Sequence, residues 1–160
     1  MNQQGFATLE VALVATIISL LAFVAVPKMN QVLDKIYLKY EVERFCSELE
    51  YARSAARSTS APKSEIFSEN SAIPSGEVLV VNLEYANNSY SVKKNAKLFR
   101  ERHMLGGGIV LQQYSSAPSE IIFKAKGTSK SGTVRFTSRL GEVKSVTIDS
   151  VGRVRIKNGE

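Results

Sequence analysis

An uninterrupted apolar run near the N-terminus restricts this chain more than any other feature. Between Phe6 and Val26 the only charged side chain is Glu10, and neither glycine nor proline occurs before Pro27. At about 1.5 Å per residue, a helix of this length spans roughly 30 Å, which is the thickness of the hydrocarbon core of a bilayer. The run therefore predicts a membrane-spanning helix over residues 6–27.

Glu10 is an expensive residue in such a helix. An acidic side chain at mid-membrane costs roughly 2.5–3.5 kcal/mol, and somewhat less near a helix end, so a cationic partner is expected. No Lys or Arg lies within the run or before it. The nearest cation would be an α-amino group, and cleavage after Gly5 would create one on Phe6, about one helical turn from Glu10.

Gly5, Phe6 and Glu10, followed by an apolar helix that ends at a proline, resemble the class III signal of type IV pilins and type II secretion pseudopilins. The resemblance implies cleavage between Gly5 and Phe6 by a prepilin peptidase, and N-methylation of the new Phe6 amine. It also implies that Glu10 neutralises the Phe6 amine of a neighbouring subunit during filament assembly. Two departures are that Ala7 stands where Thr commonly follows the Phe, and that the leader, residues 1–5, has no basic side chain.

The same resemblance implies partners and a location. The partners would be other pilins or pseudopilins, the prepilin peptidase and the inner-membrane platform of an assembly machine. The helix would anchor the chain in the cytoplasmic membrane, with the C-terminal domain on the extracytoplasmic side.

Two other interpretations of the run agree less well with its features. A cleavable secretory signal would need a basic start, a shorter apolar core and a small-residue cleavage site behind it, whereas this run is long and ends in Val26, Pro27 and Lys28. A plain signal anchor accounts for the length but gives Glu10 no role.

After Pro27 the helical pattern continues and becomes amphipathic. Apolar residues recur at alternating spacings of four and three along one seam, namely Leu38, Val42, Phe45, Leu49, Ala52 and Ala56. We therefore expect one helix from Phe6 to about Ser58, with a kink at Pro27 and with the seam packed on a sheet.

The rest of the chain has the shorter period of strands. Residues 62–76 predict a loop, and the predicted strands are 78–83, 89–92, 109–111, 121–123, 134–137, 143–148 and 151–156. Asn87 and Asn88 predict a hairpin turn, and residues 106–108, all glycine, predict a flexible connection. A long helix followed only by strands indicates an α+β fold with an antiparallel sheet. The predicted divisions are a cleaved leader (1–5), an assembly helix (6–27) and one globular domain (28–160).

Within the type IV pilin-like superfamily, four segments resemble the H-type minor pseudopilins, the GspH/FimT group. They are residues 48–56, 122–127, 132–136 and 152–154. This resemblance implies a structural subunit, not an enzyme, of a type II secretion pseudopilus or of a type IV pilus-like machine.

Positive charge is concentrated near the C-terminus. After Glu120 there are nine basic and three acidic side chains, which account for the whole net charge of +6. Such asymmetry favours an acidic partner. The Gly-Arg-x-Arg ending resembles DNA-binding members of the FimT branch of competence pilins, so DNA uptake is a second hypothesis and a solvated strand face is its alternative. The candidate DNA-binding residues are Arg135, Lys144, Arg153, Arg155 and Lys157. On a strand, Arg153, Arg155 and Lys157 alternate with Val154 and Ile156, so these three are expected in one row on one face.

No pattern in the sequence predicts catalysis, a metal site or a cofactor. His103, the only histidine, is expected on the surface without an acidic or thiol partner. Cys46, the only cysteine, excludes an intrachain disulfide and is expected to pack as a small apolar side chain.

Overall fold

The computed structural model describes residues 3–58, 79–94, 97–124 and 126–158, with side chains described from Glu10 onward. Within these ranges one helix precedes eight strands. Helix α1 covers Gln3–Ser58, and the strands are β1 (Leu79–Glu84), β2 (Ser89–Lys94), β3 (Lys97–Met104), β4 (Val110–Gln112), β5 (Glu120–Phe123), β6 (Gly132–Thr137), β7 (Val143–Ile148) and β8 (Val154–Asn158). The predicted loop 62–76 lies outside the described residues.

Helix α1 is a single element of 56 residues that continues through Pro27. The prediction of one helix with an apolar first half and an amphipathic second half is confirmed. Proline removes one backbone hydrogen bond and crowds the preceding turn, so a kink at Pro27 stays a prediction.

The strands form two antiparallel sheets, where the sequence predicted one. The first sheet has the order β3-β2-β1-β5 and the second has the order β4-β6-β7-β8. Strand β4 already belongs to the second sheet, and the chain then returns to the first sheet in β5 before completing the second. The predicted α+β fold with antiparallel strands is confirmed. Alternation of side chains predicts strands but not their partners, so the division into two sheets is seen only in the structure.

Both sheets pack on the same side of α1. Strands β1 and β5 of the first sheet and β6, β7 and β8 of the second contact the helix. The predicted seam is fully buried there, from Leu38 to Ala56. The Phe45 ring lies 5.0 Å from the ring of Tyr90 in β2 and 5.2 Å from that of Phe136 in β6, so this one side chain joins the two sheets.

Two strand predictions need correction. Strand β3 was not predicted, because its side chains are almost all exposed and do not alternate between apolar and polar. The last strand begins at Val154 instead of Val151, because Asp149 organises a turn before it. Its Oδ1 accepts hydrogen bonds from Val151 N at 3.0 Å and Arg153 N at 2.8 Å, and Gly152 in the turn has a φ of 77°.

The predicted hairpin turn is confirmed. Asn88, between β1 and β2, has a φ of 48°, a conformation that asparagine adopts more readily than most residues. Its side-chain amide also donates to Ile109 O at 2.6 Å and its Oδ1 accepts from Leu111 N at 2.7 Å. The turn of the first sheet is thereby attached to the start of the second.

Candidate assembly site

The apolar half of α1 projects beyond both sheets. From Glu10 to Leu33 every residue is exposed, and the first buried residue after Glu10 is Asp34. Phe23 is 83% exposed and Leu20 is 69% exposed. Over the part of the chain that is described, α1 is the one helix long and apolar enough to cross a membrane. A continuous apolar surface of this extent marks a membrane or protein interface.

Two hydroxyl side chains within this half are satisfied by the helix itself. Thr16 Oγ1 donates to Ala12 O and Leu13 O, both at 2.8 Å, and Ser19 Oγ donates to Ala15 O at 2.8 Å. Such bonds to the preceding turn let hydroxyl groups enter an apolar medium without an outside partner.

Glu10 differs from these hydroxyls. It is exposed on α1, and no cation of the described residues forms an ion pair with it. Gly5 and Phe6 lie in the first turns of α1, but their side chains fall outside what is described.

Glu41 connects α1 to the end of β3. This contact lies at the end of the domain nearest the apolar run, which we call the base of the domain. Its side chain is 5% exposed; Oε2 lies 2.8 Å from His103 Nε2, and Oε1 accepts from Gly106 N at 3.0 Å. The His103 ring also packs edge-on against Tyr90, with centroids 5.2 Å apart. The prediction that His103 is a surface residue without an acidic partner is therefore wrong. Glu41 lies 62 residues earlier in the chain, a separation that local sequence cannot reveal.

The glycine loop, residues 106–108, packs against α1 beside this contact, whereas the sequence predicted a flexible connection. Gly107 has a φ of 62°, and a Cβ there would lie 2.7 Å from Cγ of Tyr37 on α1. Only glycine permits both this conformation and this approach to the helix. The β6–β7 turn, residues 138–142, lies nearby, and Leu140 N donates to Asp34 Oδ2 at 3.4 Å.

Near the other end of the domain, β3 lies along α1 through charged and aromatic contacts. Arg100 Nη1 donates to both carboxylate oxygens of Glu48, at 2.6 and 2.7 Å, and its guanidinium lies 4.5 Å from the Tyr51 ring centroid. The hydrogen bond to Glu48 raises the pKa of Arg100. Phe99 stacks on Tyr51 with centroids 6.1 Å apart.

The five candidate DNA-binding residues do not form one cluster. Arg155 and Lys157 are exposed on β8, and their partners in β7 are Thr147 and Ser145. Through Ser145 the register continues to Arg135 in β6, so Arg135, Arg155 and Lys157 share the outer face of the second sheet. The Arg135 guanidinium lies 4.7 Å from the Tyr114 ring centroid.

The other two candidates are placed differently. Lys144 alternates with Ser145 and so lies on the inner face, in register with the buried Phe136. Arg153 precedes β8, and its Nε donates to Asp149 Oδ2 at 2.8 Å. The hydrogen bonds from Arg153 lower the pKa of Asp149. The expectation that Arg153, Arg155 and Lys157 form one row on a strand is wrong, because Arg153 belongs to the turn.

Cys46 is half-buried against the core, as predicted, and burial raises the pKa of its thiol to about 11. At neutral pH it is therefore a thiol and not the reactive thiolate. A search of the described residues finds no group of three or more His, Cys, Asp or Glu side chains that could hold a metal ion.

Comparisons with known proteins agree with this architecture. A family profile described as "Type II transport protein GspH" matches residues 41–152, which is more than half of the chain. Among solved structures, the minor pseudopilin EpsH from the type 2 secretion system of Vibrio cholerae has the same fold. The TM-score is 0.56 at 14% identity, over 76% of this chain and 98% of EpsH. A comparison with curated protein sequences finds no match.

The profile match runs from Glu41 to Gly152 and covers the helix seam from Val42 onward, the packed glycine loop, the whole first sheet, and β4, β6 and β7 of the second. The sequence-based assignment to the type IV pilin-like superfamily, and within it to the minor pseudopilins, is confirmed. The chain belongs to the GspH family of type II transport proteins, the minor pseudopilins of type II secretion.

Proposed function

We propose that the chain is a structural subunit of a type II secretion pseudopilus, without enzymatic activity, and that it assembles with other pseudopilins through the exposed half of α1. The observation that carries the proposal is Glu10, a carboxylate without a cationic partner among the described residues, at the start of a stretch of α1 that has no other charged side chain up to Val26. A charge in that position is unfavourable in a membrane and also in a bundle of apolar helices unless it is neutralised.

The proposed neutralising group is the α-amino group of Phe6 in a neighbouring subunit. A prepilin peptidase would expose this amine by cleaving after Gly5, and N-methylation would modify it. Before assembly, the helix would hold the chain in the inner membrane with the domain outside the cytoplasm, where the assembly platform would collect it. Pairing between chains would then make Glu10 favourable only in the filament.

The variant Glu10→Val tests this role. Membrane insertion should become easier by roughly 2 kcal/mol, because the costly carboxylate is removed. Incorporation into sheared filaments should fall about tenfold, since a polar contact between membrane helices contributes about 1–2 kcal/mol. The measurement is the ratio of the variant in the filament fraction to that in the membrane fraction.

Lys28→Gln is the matched control, because it removes one exposed charge from the same helix outside the apolar run. The control should incorporate like the parent. If Glu10→Val also incorporated like the parent, Glu10 would have no pairing role.

Processing gives a second test. In a host with a working prepilin peptidase, the intact mass of the extracted chain should correspond to a protein that begins with methylated Phe6. Gly5→Leu should block cleavage, because the peptidase requires a very small residue at the cut site, whereas Gly5→Ala should still be processed. A parent chain that retained residues 1–5 would instead be a plain membrane anchor.

A further inference from the structure

The β6–β7 turn, residues 138–142, is a part of the domain that lies close to the end of the apolar run. Contacts of the strands and loops with α1 run along the helix: Arg53 Nη2 donates to Val151 O at 3.1 Å, and nearer the N-terminal end Asp34 accepts from Leu140 N at 3.4 Å. Asp34 is also the first buried residue after Glu10. A crevice opens there between the turn and the helix, lined in part by Asn30, Leu33 and Arg139.

The height of this turn above a membrane follows from the helix. From Val26 to Asp34 the helix rises about 12 Å, at about 1.5 Å per residue. A bilayer of roughly 40–45 Å with a core of about 30 Å has a headgroup layer of about 5–8 Å on each side. Side chains that extend from the turn towards the N-terminal end of α1 would reach this layer, and a tilt of about 20°, the average for such helices, would bring one side of the domain closer.

The side chains exposed at this end of the domain are of the kinds that bind a lipid headgroup layer. Leu140 is 62% exposed at the tip of the turn, and Arg139 next to it is exposed. Lys28 and Lys35 are exposed on the adjoining part of α1. The nearby acids are less accessible, since Asp34 and Glu41 are buried and Glu142 is half-buried. Cations beside an exposed apolar side chain are the features of an interfacial anchor on anionic lipid.

We propose that the β6–β7 turn docks on the anionic headgroup layer of the membrane that α1 crosses, with Arg139 near lipid phosphates and Leu140 at the interface. The docking rests on the proposed membrane anchoring and adds a second contact to it. Two contacts on one rigid domain set its tilt and rotation, so the subunit would wait for assembly in one orientation. Leaving the membrane for the filament would break this contact.

Depth-dependent quenching in nanodiscs tests the proposal on the full chain. A fluorophore is attached at Leu140→Cys, or at Val151→Cys in the β7–β8 turn, each with Cys46→Ala so that one thiol remains. Val151 is a matched control, because it is 51% exposed in a turn at the opposite end of β7. Six residues of strand separate the two turns by about 20 Å, at about 3.3 Å per residue. The quencher is a nitroxide on the lipid headgroup.

The label at 140 should be quenched several-fold more than the label at 151, and more strongly when phosphatidylglycerol is added to phosphatidylcholine. Arg139→Gln should weaken the docked state about fivefold in anionic nanodiscs, the effect of one cation at such a surface. Equal quenching at both positions, or quenching at 140 that ignores the anionic lipid, would overturn the docking. An unquenched label that responds to the number of chains per disc would also overturn it and assign the turn to a second copy.

The same samples separate this proposal from the proposed function. A chain that does not enter nanodiscs would contradict both the membrane anchor and the docking. A chain that enters them with equal quenching at 140 and 151 would contradict the docking alone.

Discussion

At the scale of single residues, the base of the domain holds two buried acids with different surroundings. Glu41 accepts a hydrogen bond from Gly106 N and contacts His103, whereas Oδ1 of Asp34 is buried without a partner among the described residues. A buried carboxylate stabilises a fold only when its oxygens are well satisfied. We therefore expect Glu41 to stabilise the fold more than Asp34 does, because it holds the end of β3 and the glycine loop against α1.

Glu41→Ala tests that role. The substitution leaves Gly106 N and the His103 ring without their acceptor, so the free energy of unfolding should fall by about 1–3 kcal/mol. Glu43→Ala is the matched control, because Glu43 is exposed and its contact with Lys39 is a surface pair at 3.8 Å. The control should change stability by less than about 0.5 kcal/mol. Urea denaturation of both variants is the measurement, and equal midpoints would mean that the Glu41 contacts contribute nothing.

At the scale of elements, α1 has two roles along one continuous helix. Its first half from Glu10 to Leu33 is exposed, while its second half supplies the side of the core that both sheets share. Phe45 is the central contact, since its ring touches aromatic rings from β2 and β6. Removing this ring would leave a cavity between the helix and both sheets.

Phe45→Ala and Leu49→Ala should each lower the free energy of unfolding by about 2–5 kcal/mol, because both side chains are fully buried. The measurement is denaturation of a fragment from Met29 onward, which we expect to fold without the apolar run. Ile36→Ala is the control on the same helix, since Ile36 is 56% exposed and should change stability little. Unchanged midpoints for both core variants would show that the seam is not part of the domain core.

At the scale of the whole molecule, the excess positive charge is spread over different surfaces. Arg135, Arg155 and Lys157 share the outer face of the second sheet, whereas Lys144 lies on its inner face and Arg153 is paired with Asp149. The comparisons give no support to a role in DNA uptake. The DNA-binding hypothesis is accordingly reduced to three residues, and it stays a prediction.

If those three residues bind phosphates, the fragment from Met29 onward should bind duplex DNA weakly and without sequence preference. The double variant Arg155→Gln, Lys157→Gln should then lower the slope of log affinity against log salt by about 2, since each phosphate contact contributes about 0.9. The double variant Lys35→Gln, Lys39→Gln is the control, because it removes two exposed cations from α1. No binding by the parent at low salt would leave the outer face as a solvated strand surface.

The sequence by itself determined the features that repeat locally. The apolar run and the buried seam follow from spacing along one helix, because that spacing records which side chains leave water. Seven of the eight strands, in alternating or apolar segments, and the Asn88 turn followed for the same reason. The family resemblance at residues 48–56, 122–127, 132–136 and 152–154 relied on these same elements.

Only the tertiary structure decided which distant segments meet. The division into two sheets, the exposed strand β3 and the contact of Glu41 with His103 all depend on partners far apart in the chain. It also decided which cations share a face, moving Lys144 and Arg153 away from the other candidates. The physical reason is that pairing between strands and burial of a polar pair are set by the packing of the whole domain, whereas periodicity records only the burial of residues within one element.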